Sequence, residues 1–459
     1  MNSRRRDFLS AATFAAAALA AEPFESLSRR AKLRAEQFQG VGYGPLRPTK
    51  DETTGHDLLL LPEGFRYVSF GWTGDLLDDG SPTPGAHDGM AALSQDGSLI
   101  TLVRNHEVGE PGPSMADASL TYDPQAGGGC TRLVFDGAQR KLVSATAVLG
   151  GTHRNCAGGP TPWGTWLSCE ETVDDAHGSA EGKPLPFEKD HGYIFEVPSN
   201  GAVQPTPLRD MGRFVHEAVA VDPATGIVYE TEDQHTAGFY RFLPKTPGKL
   251  EDGGHLQMMK AEGRTDLRQG ATANESISVR WVDIVEPGRH HSPGTNDGLG
   301  VFTQGKIRDA TTFARLEGCY HGGGKIYFVS TSGGDARLGQ IWEYDPKNEL
   351  LRLVFESPSS HILDYPDNVT MSPRGGLVLC EDGDQRAERL CGLTLDGQLF
   401  PLAQNNMVLA GQKNGFTGDF RTQEWCGTTF SPDGQWLFAN LQTPGLTVAI
   451  TGPWNAGPL

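Results

Sequence analysis

A short pattern recurs six times along this chain. A glycine-containing turn is followed at once by an apolar strand, at Asp96-Gly97, Trp163-Gly164, Thr225-Gly226, Gly323-Gly324, Gly375-Gly376 and Asp433-Gly434. The strands that follow occupy residues 99–103, 165–169, 227–230, 325–329, 377–380 and 435–439. Seven to nine residues upstream of each turn's last glycine stands a polar or sulfur residue: Asp88, Cys156, Glu217, Glu317, Asn368 and Cys426 in turn. Repeats of roughly 50 to 100 residues built from short strands imply a propeller with one blade per copy. The expected fold is therefore all-β, a six-bladed β-propeller.

The repeat also fixes where polar residues gather. Strands flanking a tight turn are antiparallel, so the start of the first and the end of the second share one end of the blade. The second strands end near Glu107, Glu170, Glu232, Glu381, Asp382 and Asn440. Around a ring of blades both sets converge on one mouth of the central channel. Clustered carboxylates repel one another strongly unless cations neutralise them. A metal site at that mouth is the expectation.

The chain is acidic, with 39 Lys and Arg against 57 Asp and Glu and a formal charge of −18. Nothing resembles a basic stripe, which argues against a nucleic-acid partner. An anionic small substrate is compatible, because bound metal reverses the local field. Its 59 Gly and 30 Pro suit an all-β chain dense in turns.

Residues 1–20 read as a targeting segment. Ser3-Arg4-Arg5-Arg6-Asp7-Phe8-Leu9 resembles a twin-arginine export signal, and the apolar run at 11–20 is too short to span a bilayer. Export by the twin-arginine translocase, a periplasmic or extracellular location and no transmembrane anchor follow as expectations. Residues 21–50 are charged and irregular, an arm over the outside of a single domain at 51–459. The interval at about 244–309 breaks the period and reads as an insertion, with one clear strand at 276–285. The segments Tyr193-Ile194-Phe195-Glu196, Phe239-Tyr240-Arg241-Phe242, Ile341-Trp342-Glu343-Tyr344 and Leu393-Thr394-Leu395-Asp396 read as half-exposed outer strands. A closed ring with an acidic surface makes a monomer the default.

Seven cysteines is an odd number, so at least one lacks an intramolecular disulfide partner. Cys169 and Cys380 end apolar strands and read as buried thiols, as do Cys130, Cys319 and Cys391. Cys426 suits either core or ligand. Cys156 lies in a polar, glycine-rich stretch, where a thiolate serves as a metal ligand. His106 and His216 read as orienting or core histidines, and Glu171 or Asp233 alone as solvated rim.

Several strings are more specific: Arg104-Asn105-His106-Glu107, Arg154-Asn155-Cys156-Ala157-Gly158-Gly159, Cys169-Glu170-Glu171-Thr172, Arg213-Phe214-Val215-His216-Glu217, Arg315-Leu316-Glu317-Gly318 and Asp364-Tyr365-Pro366-Asp367-Asn368. As an ordered set they resemble the PhoX-type alkaline phosphatases, exported six-bladed propellers, over roughly residues 50–450. The resemblance implies phosphomonoester hydrolysis with ferric iron (Fe3+) and calcium (Ca2+). It implies iron at Cys156, Glu217 and Glu317, and Asn105 and Glu107 near substrate and calcium. Glu170, Glu232, Asp367, Glu381 and Asp382 are further calcium candidates, since hard oxygen donors suit that ion. Arg315 is expected to clamp a phosphate oxygen, because guanidinium matches phosphate in two-point geometry. The catalytic set expected is thus Arg315, Asn105 and Glu317, acting on a small phosphomonoester.

No activated Ser, Thr or Cys nucleophile stands out, and no G-x-S-x-G elbow or phosphate-cradling loop is present. Spacing alone supports a metal site without choosing its reaction. A calcium-dependent lactonase or esterase propeller, and a non-catalytic periplasmic binding propeller, remain the alternatives. Cys156 separates them, since neither needs a thiolate between carboxylate-bearing blades.

Overall fold

The glycine turns and alternating strands assemble into six antiparallel meanders. In the computed structural model, residues 41–176, 178, 183–201 and 204–459 are described. The expected leader at 1–20 and all but the end of the arm at 21–50 lie outside them. The first meander runs His87–Asp96, Leu99–His106, Gly128–Asp136 and Lys141–Thr152. The second comprises Asn155–Pro160, Thr165–Glu170 and Ile194–Pro198. The third takes His216–Val221, Val228–Glu232, Phe239–Pro244 and Gly254–Ala261. The fourth follows with Leu316–Gly322, Lys325–Ser330, Gln340–Asp345 and Leu350–Glu356. The fifth has Pro366–Met371, Leu377–Glu381, Arg389–Leu393 and Leu399–Asn405.

The sixth meander joins both ends of the described chain. Trp425–Phe430, Leu437–Leu441 and Leu446–Thr451 are completed by Arg66–Phe70, which pairs antiparallel with the last of them. The turn glycines Gly97, Gly164, Gly226, Gly324, Gly376 and Gly434 all have positive φ, between 57° and 83°. A side chain there would clash with the backbone, which is why glycine recurs at this point of each copy.

The first strand of each meander packs against the first strand of the next, and the sixth against the first. That closed cycle is a propeller. Apolar side chains fill the spaces between successive sheets, as where Phe239, Phe328 and Trp342 meet between the third and fourth. Such burial supplies the stabilising term at roughly 25 cal/mol per Å².

Three details differ from the sequence expectations. The supposed outer strands at Ile194–Pro198, Phe239–Pro244 and Gln340–Asp345 are third strands with mostly buried residues. In the third and fourth meanders a further strand covers them. Leu393-Thr394-Leu395-Asp396 is the end of a strand and its turn. The interval at 244–309 begins with the fourth strand of its own meander, Gly254–Ala261. Ser276–Asp283 then bridges that strand to Leu350–Glu356, and a short helix, Gly300–Lys306, follows. Within the arm, Arg47–Thr49 pairs with Leu59–Leu61, which extends the fifth sheet through Leu399–Asn405.

One irregularity repeats in all six meanders. Pairing between first and second strands skips at His87/Met90, Asn155/Gly158, His216/Val219, Leu316/Cys319, Pro366/Val369 and Cys426/Thr429. A bulge adds a residue to one strand and re-aims its side chains. Here it falls on Asp88, Cys156, Glu217, Glu317 and Asp367, at one height around the ring. Each is followed by a residue as small as Gly89, Ala157, Ala218 or Gly318, or by Asn368. A Cβ on Gly89 would lie 2.5 Å from Ala157 Cα, and one on Gly318 would lie 2.7 Å from the Asp367 carbonyl oxygen. Glycine lets the inner strands close until the cavity on the axis holds only about 30 Å³. That is close to the volume share of one water, roughly 30 Å³.

Candidate metal centre

The bulges bring acidic and sulfur side chains together above this plugged axis. Cys156, Glu171 and Glu217 offer ligand atoms that all lie within 4.8 Å of one another, and so do Glu217, Glu317 and Asp367. Glu217 belongs to both groups. A third group, Asp88, Glu424 and Cys426, meets the same 4.8 Å limit. Asp88, Cys156, Glu217, Glu317 and Asp367 are each less than 9% exposed.

The electrostatics are those of too many negative charges in too little water. Burial, then neighbouring carboxylates, push the pKa of Asp88, Glu217, Glu317 and Glu424 well above the usual range. Glu171 is raised by burial and then by Glu107. Burial and Asp382 lift Asp367 to about 8, while burial alone leads in lifting Asp382 to about 6. Burial and Glu217 raise the Cys156 thiol. The carboxyl groups crowd one another, Glu107 beside Asp88 and Glu171, and Asp382 beside Glu424, which favours keeping protons on them. Cations replacing those protons would relieve the repulsion, so the donor set fits metal. The thiol-bearing group suits a transition ion such as iron, and the carboxylate oxygens suit calcium.

Two arginines overlook the cluster. Arg315 Nε and Nη2 lie 3.0 and 3.1 Å from the two carboxylate oxygens of Asp233, and Nη2 donates to Glu317 Oε1 at 2.7 Å. Its side chain remains 30% exposed, and Nη1 has no hydrogen-bond partner among the described residues. Arg154 Nη2 donates to Glu171 Oε2 at 2.8 Å and lies 3.5 Å from Glu107 Oε1. Both arginines stand two residues before a bulge residue, Glu317 and Cys156, with φ of 45° and 51°. A bulky residue in that region marks a backbone held by its surroundings. The left-handed turn carries the chain from the rim into the inner strand.

Several residues expected at the site lie elsewhere. Glu170 accepts hydrogen bonds from the His153, Gly192 and Tyr193 backbone and from His191 Nδ1 at 2.6 Å. Glu232 accepts from Gly238 N and Tyr240 Oη. Glu381 is engaged by Asp364 N, Arg386 and Arg389. Side chains alternate along a strand, so the next residue in each case, Glu171, Asp233 or Asp382, turns toward the cluster. Asn105 was expected beside substrate, but its Nδ2 donates to the Cys156 and Ala157 carbonyls at 3.0 and 2.7 Å. Its Oδ1 accepts from Trp166 Nε1, Ser168 Oγ and Cys130 Sγ. It ties the first two meanders together. His106 and His216 bond to backbone carbonyls, the orienting role expected of them.

Glu171, Asp233 and Glu424 were missed as cluster members. For the first two the signal was strand parity. For Glu424 no such signal existed, since Cys426 is the last paired residue before the sixth bulge and not a bulge residue. All seven cysteines are buried and unpaired. Cys426 Sγ also lies 3.0 Å from the His87 carbonyl oxygen.

The chain is similar to known proteins. The sequence profile of the alkaline phosphatase PhoX family matches residues 41–445. The chain belongs to this family. Membership makes it a phosphoric monoester hydrolase of the metal-dependent alkaline phosphatase kind. Pseudomonas fluorescens PhoX, solved in complex with vanadate, a transition state analogue, superposes with a TM-score of 0.65 at 18% identity, covering 92% of this chain and 99% of that one. A gluconolactonase from Xanthomonas campestris overlaps with a TM-score of 0.40 at 14% identity, over 90% of this chain and 99% of that one. No curated protein matches the sequence. No helix among the described residues is long and apolar enough to cross a membrane.

Proposed function

We propose that this phosphomonoesterase works at the shared-carboxylate centre, with iron bound by Cys156, Glu171, Glu217 and Glu317 and calcium by the remaining oxygen donors. The single observation that carries the reading is Glu217, common to two ligand groups, one of which also holds Glu317, the carboxylate that Arg315 bonds. Asp367, Glu107, Asp382 and Asp88 are the calcium ligands in this reading, and Glu424 with Cys426 extends the site. Bound there, the cations supply Lewis acidity toward phosphoryl oxygens and cancel carboxylate charge that would repel a phosphate.

The protein's own contributions follow from geometry. Asp233 grips two guanidinium nitrogens of Arg315, so the plane of the group is set before substrate arrives. Its unengaged Nη1 can then donate to an equatorial phosphoryl oxygen, in a preorganised position that favours the transition state. Arg154, tethered to Glu171, supplies a second positive group two meanders away around the ring. The leaving oxygen departs toward the exposed side, since the axis below is filled.

The six meanders read as six blades of one monomeric domain. The twin-arginine leader places the enzyme in the periplasm or outside the cell. The lactonase and binding-module readings lack the family support that the phosphatase reading has. The direct test is turnover of p-nitrophenyl phosphate with metal analysis of the same preparation. Chelator-sensitive turnover, abolished with bound metal in Glu317→Ala, is expected. A protein loaded with iron and calcium that releases no phosphate would sink the reading.

A further inference from the structure

Beside the centre lies a second hollow of about 660 Å³, within the range of small-molecule sites, roughly 300–1,000 Å³. Ala314 and Tyr365 form its inner wall, with His235, Arg268, Ser332 and Arg337 around them. Ala314 precedes Arg315. Tyr365 stands two residues before Asp367, and its carbonyl accepts from Asp382 N at 2.9 Å. Two residues of its wall are thus chain neighbours of Arg315 and Asp367.

Its charge runs against that of the whole chain. Asp266 is matched by Arg268 in a two-point pair, Nε to Oδ1 at 3.0 Å and Nη2 to Oδ2 at 2.7 Å. That pair cancels. Arg337 is exposed and has no ion pair or side-chain hydrogen bond among the described residues, so the pocket keeps a net positive charge. The loops carrying both arginines are tied together: Gly334 N donates to the Arg268 carbonyl at 2.8 Å, and Gly270 N donates to Asp335 Oδ1 at 2.9 Å. Arg337 itself sits at a φ of 57°, its N–H donating to the Gly334 carbonyl. The position of the guanidinium's backbone is thus set by the fold rather than by a ligand.

We infer that this hollow is a leaving-group site for phosphomonoesters whose alcohol half bears a second anionic group, a carboxylate or another phosphate, held by Arg337. The inference rests on the phosphomonoesterase reading. With the ester phosphate at Arg315, the alcohol portion extends past Ala314 along the Tyr365 ring, and the distal anion meets Arg337. Arg337 is exposed, so solvent screens the pair, and a preference of roughly two- to fivefold is expected.

The test compares kcat/KM for matched substrates on the metal-loaded protein. One pair is 3-phosphoglycerate against glycerol 3-phosphate, which differ by a carboxylate. The other is fructose 1,6-bisphosphate against fructose 6-phosphate, which differ by a phosphate. A preference for the member with the second anionic group in either pair supports the site, and the pair that shows it identifies the anion. In Arg337→Gln the ratio should fall toward one, mainly through KM, and Arg337→Lys should restore part of it. A ratio near one in the native protein, or a ratio unchanged in Arg337→Gln, overturns the inference while leaving the phosphatase intact. Turnover of none of the four while p-nitrophenyl phosphate is still cleaved overturns the inference alone; loss of that reaction too overturns both.

Discussion

Three pairs of neighbouring acids end the second strands of this ring: Glu170 and Glu171, Glu232 and Asp233, Glu381 and Asp382. Within each pair the two carboxyl groups are adjacent in sequence and point to opposite faces. Glu170 and Glu381 are satisfied by the protein, through backbone N–H groups, His191 or arginines, and Glu232 through one oxygen, which accepts from Gly238 N and Tyr240. The second of each pair faces other acids. A buried charge needs partners; the first set finds them away from the cluster, while in the second Glu171 and Asp233 meet the rim arginines Arg154 and Arg315 and stand among the acids that call for cations. Stability and function are thus divided between alternate residues of the same strand ends.

That division can be broken from either side, and Glu217→Ala should do so with the largest effect. Two ligand groups lose their common member, and both bound metal and turnover should fall to background while the far-ultraviolet circular dichroism persists. Full metal content in that variant would refute the shared-ligand role. Glu381→Ala should give the converse. It strands Arg389 and Arg386 without their carboxylate, a loss of about 3–5 kcal/mol for a broken buried pair. Urea denaturation should reveal it, with metal per folded protein unchanged. If instead Glu381→Ala sheds metal at full stability, the two faces have been assigned the wrong way round.

Arg315→Ala should reduce kcat by about 10²–10³, the usual loss for one preorganised donor, with metal retained. Asp233→Asn, which loosens the grip on Arg315, should cost about 10–100-fold, as for groups that orient functional side chains. A smaller loss from Arg315→Ala than from Asp233→Asn would contradict the proposed order of action.

The two faces also respond oppositely to pH. At the cluster, cations compete with protons on carboxyls whose pKa values are raised. Metal affinity should therefore weaken as pH falls through about 8, where Asp367 titrates, and about 6, where Asp382 does. Dialysis at graded pH followed by metal analysis checks this; retention that improves with acid would refute it. On the other face, burial disfavours a charged His191, but Glu170 and Asp123 outweigh it and raise its pKa to about 9 from a usual 6.5. A raised folded-state value means its stabilisation is complete below about pH 6.5 and is lost as pH climbs through about 9. This smallest effect should appear as a drop in urea midpoint between pH 7 and 10 that His191→Gln flattens.

Much of this molecule was legible before any coordinates. The six glycine turns, the strands after them and the residues Cys156, Glu217 and Glu317 are local signals, because turn chemistry and period-2 alternation act over a few residues. Asp88, Cys426 and Asp382 were also in view from their places in the repeat. Carboxylates gather at one mouth, but at two strand ends the residue facing the cluster is the neighbour of the one expected, Glu171 beside Glu170 and Asp233 beside Glu232, and at a third only Asp382 of the expected Glu381 and Asp382 faces it. A single-residue slip reverses the face of a side chain, and only paired strands establish parity. Asn105 illustrates a second kind of limit. Its motif suggested substrate, yet its amide is fully occupied across two meanders separated by some fifty residues of chain.

What the sequence determined by itself was the repeat, the all-β class and the chemical identity of the donors. The tertiary structure decided which donors meet. Six bulges at one height, the close approach permitted by Gly89 and Gly318, and the two-point grip of Asp233 on Arg315 all depend on strands brought together from distant parts of the chain. A bulge exists only relative to its pairing partner, and an ion pair only at a distance. Neither can be read until the ring has closed.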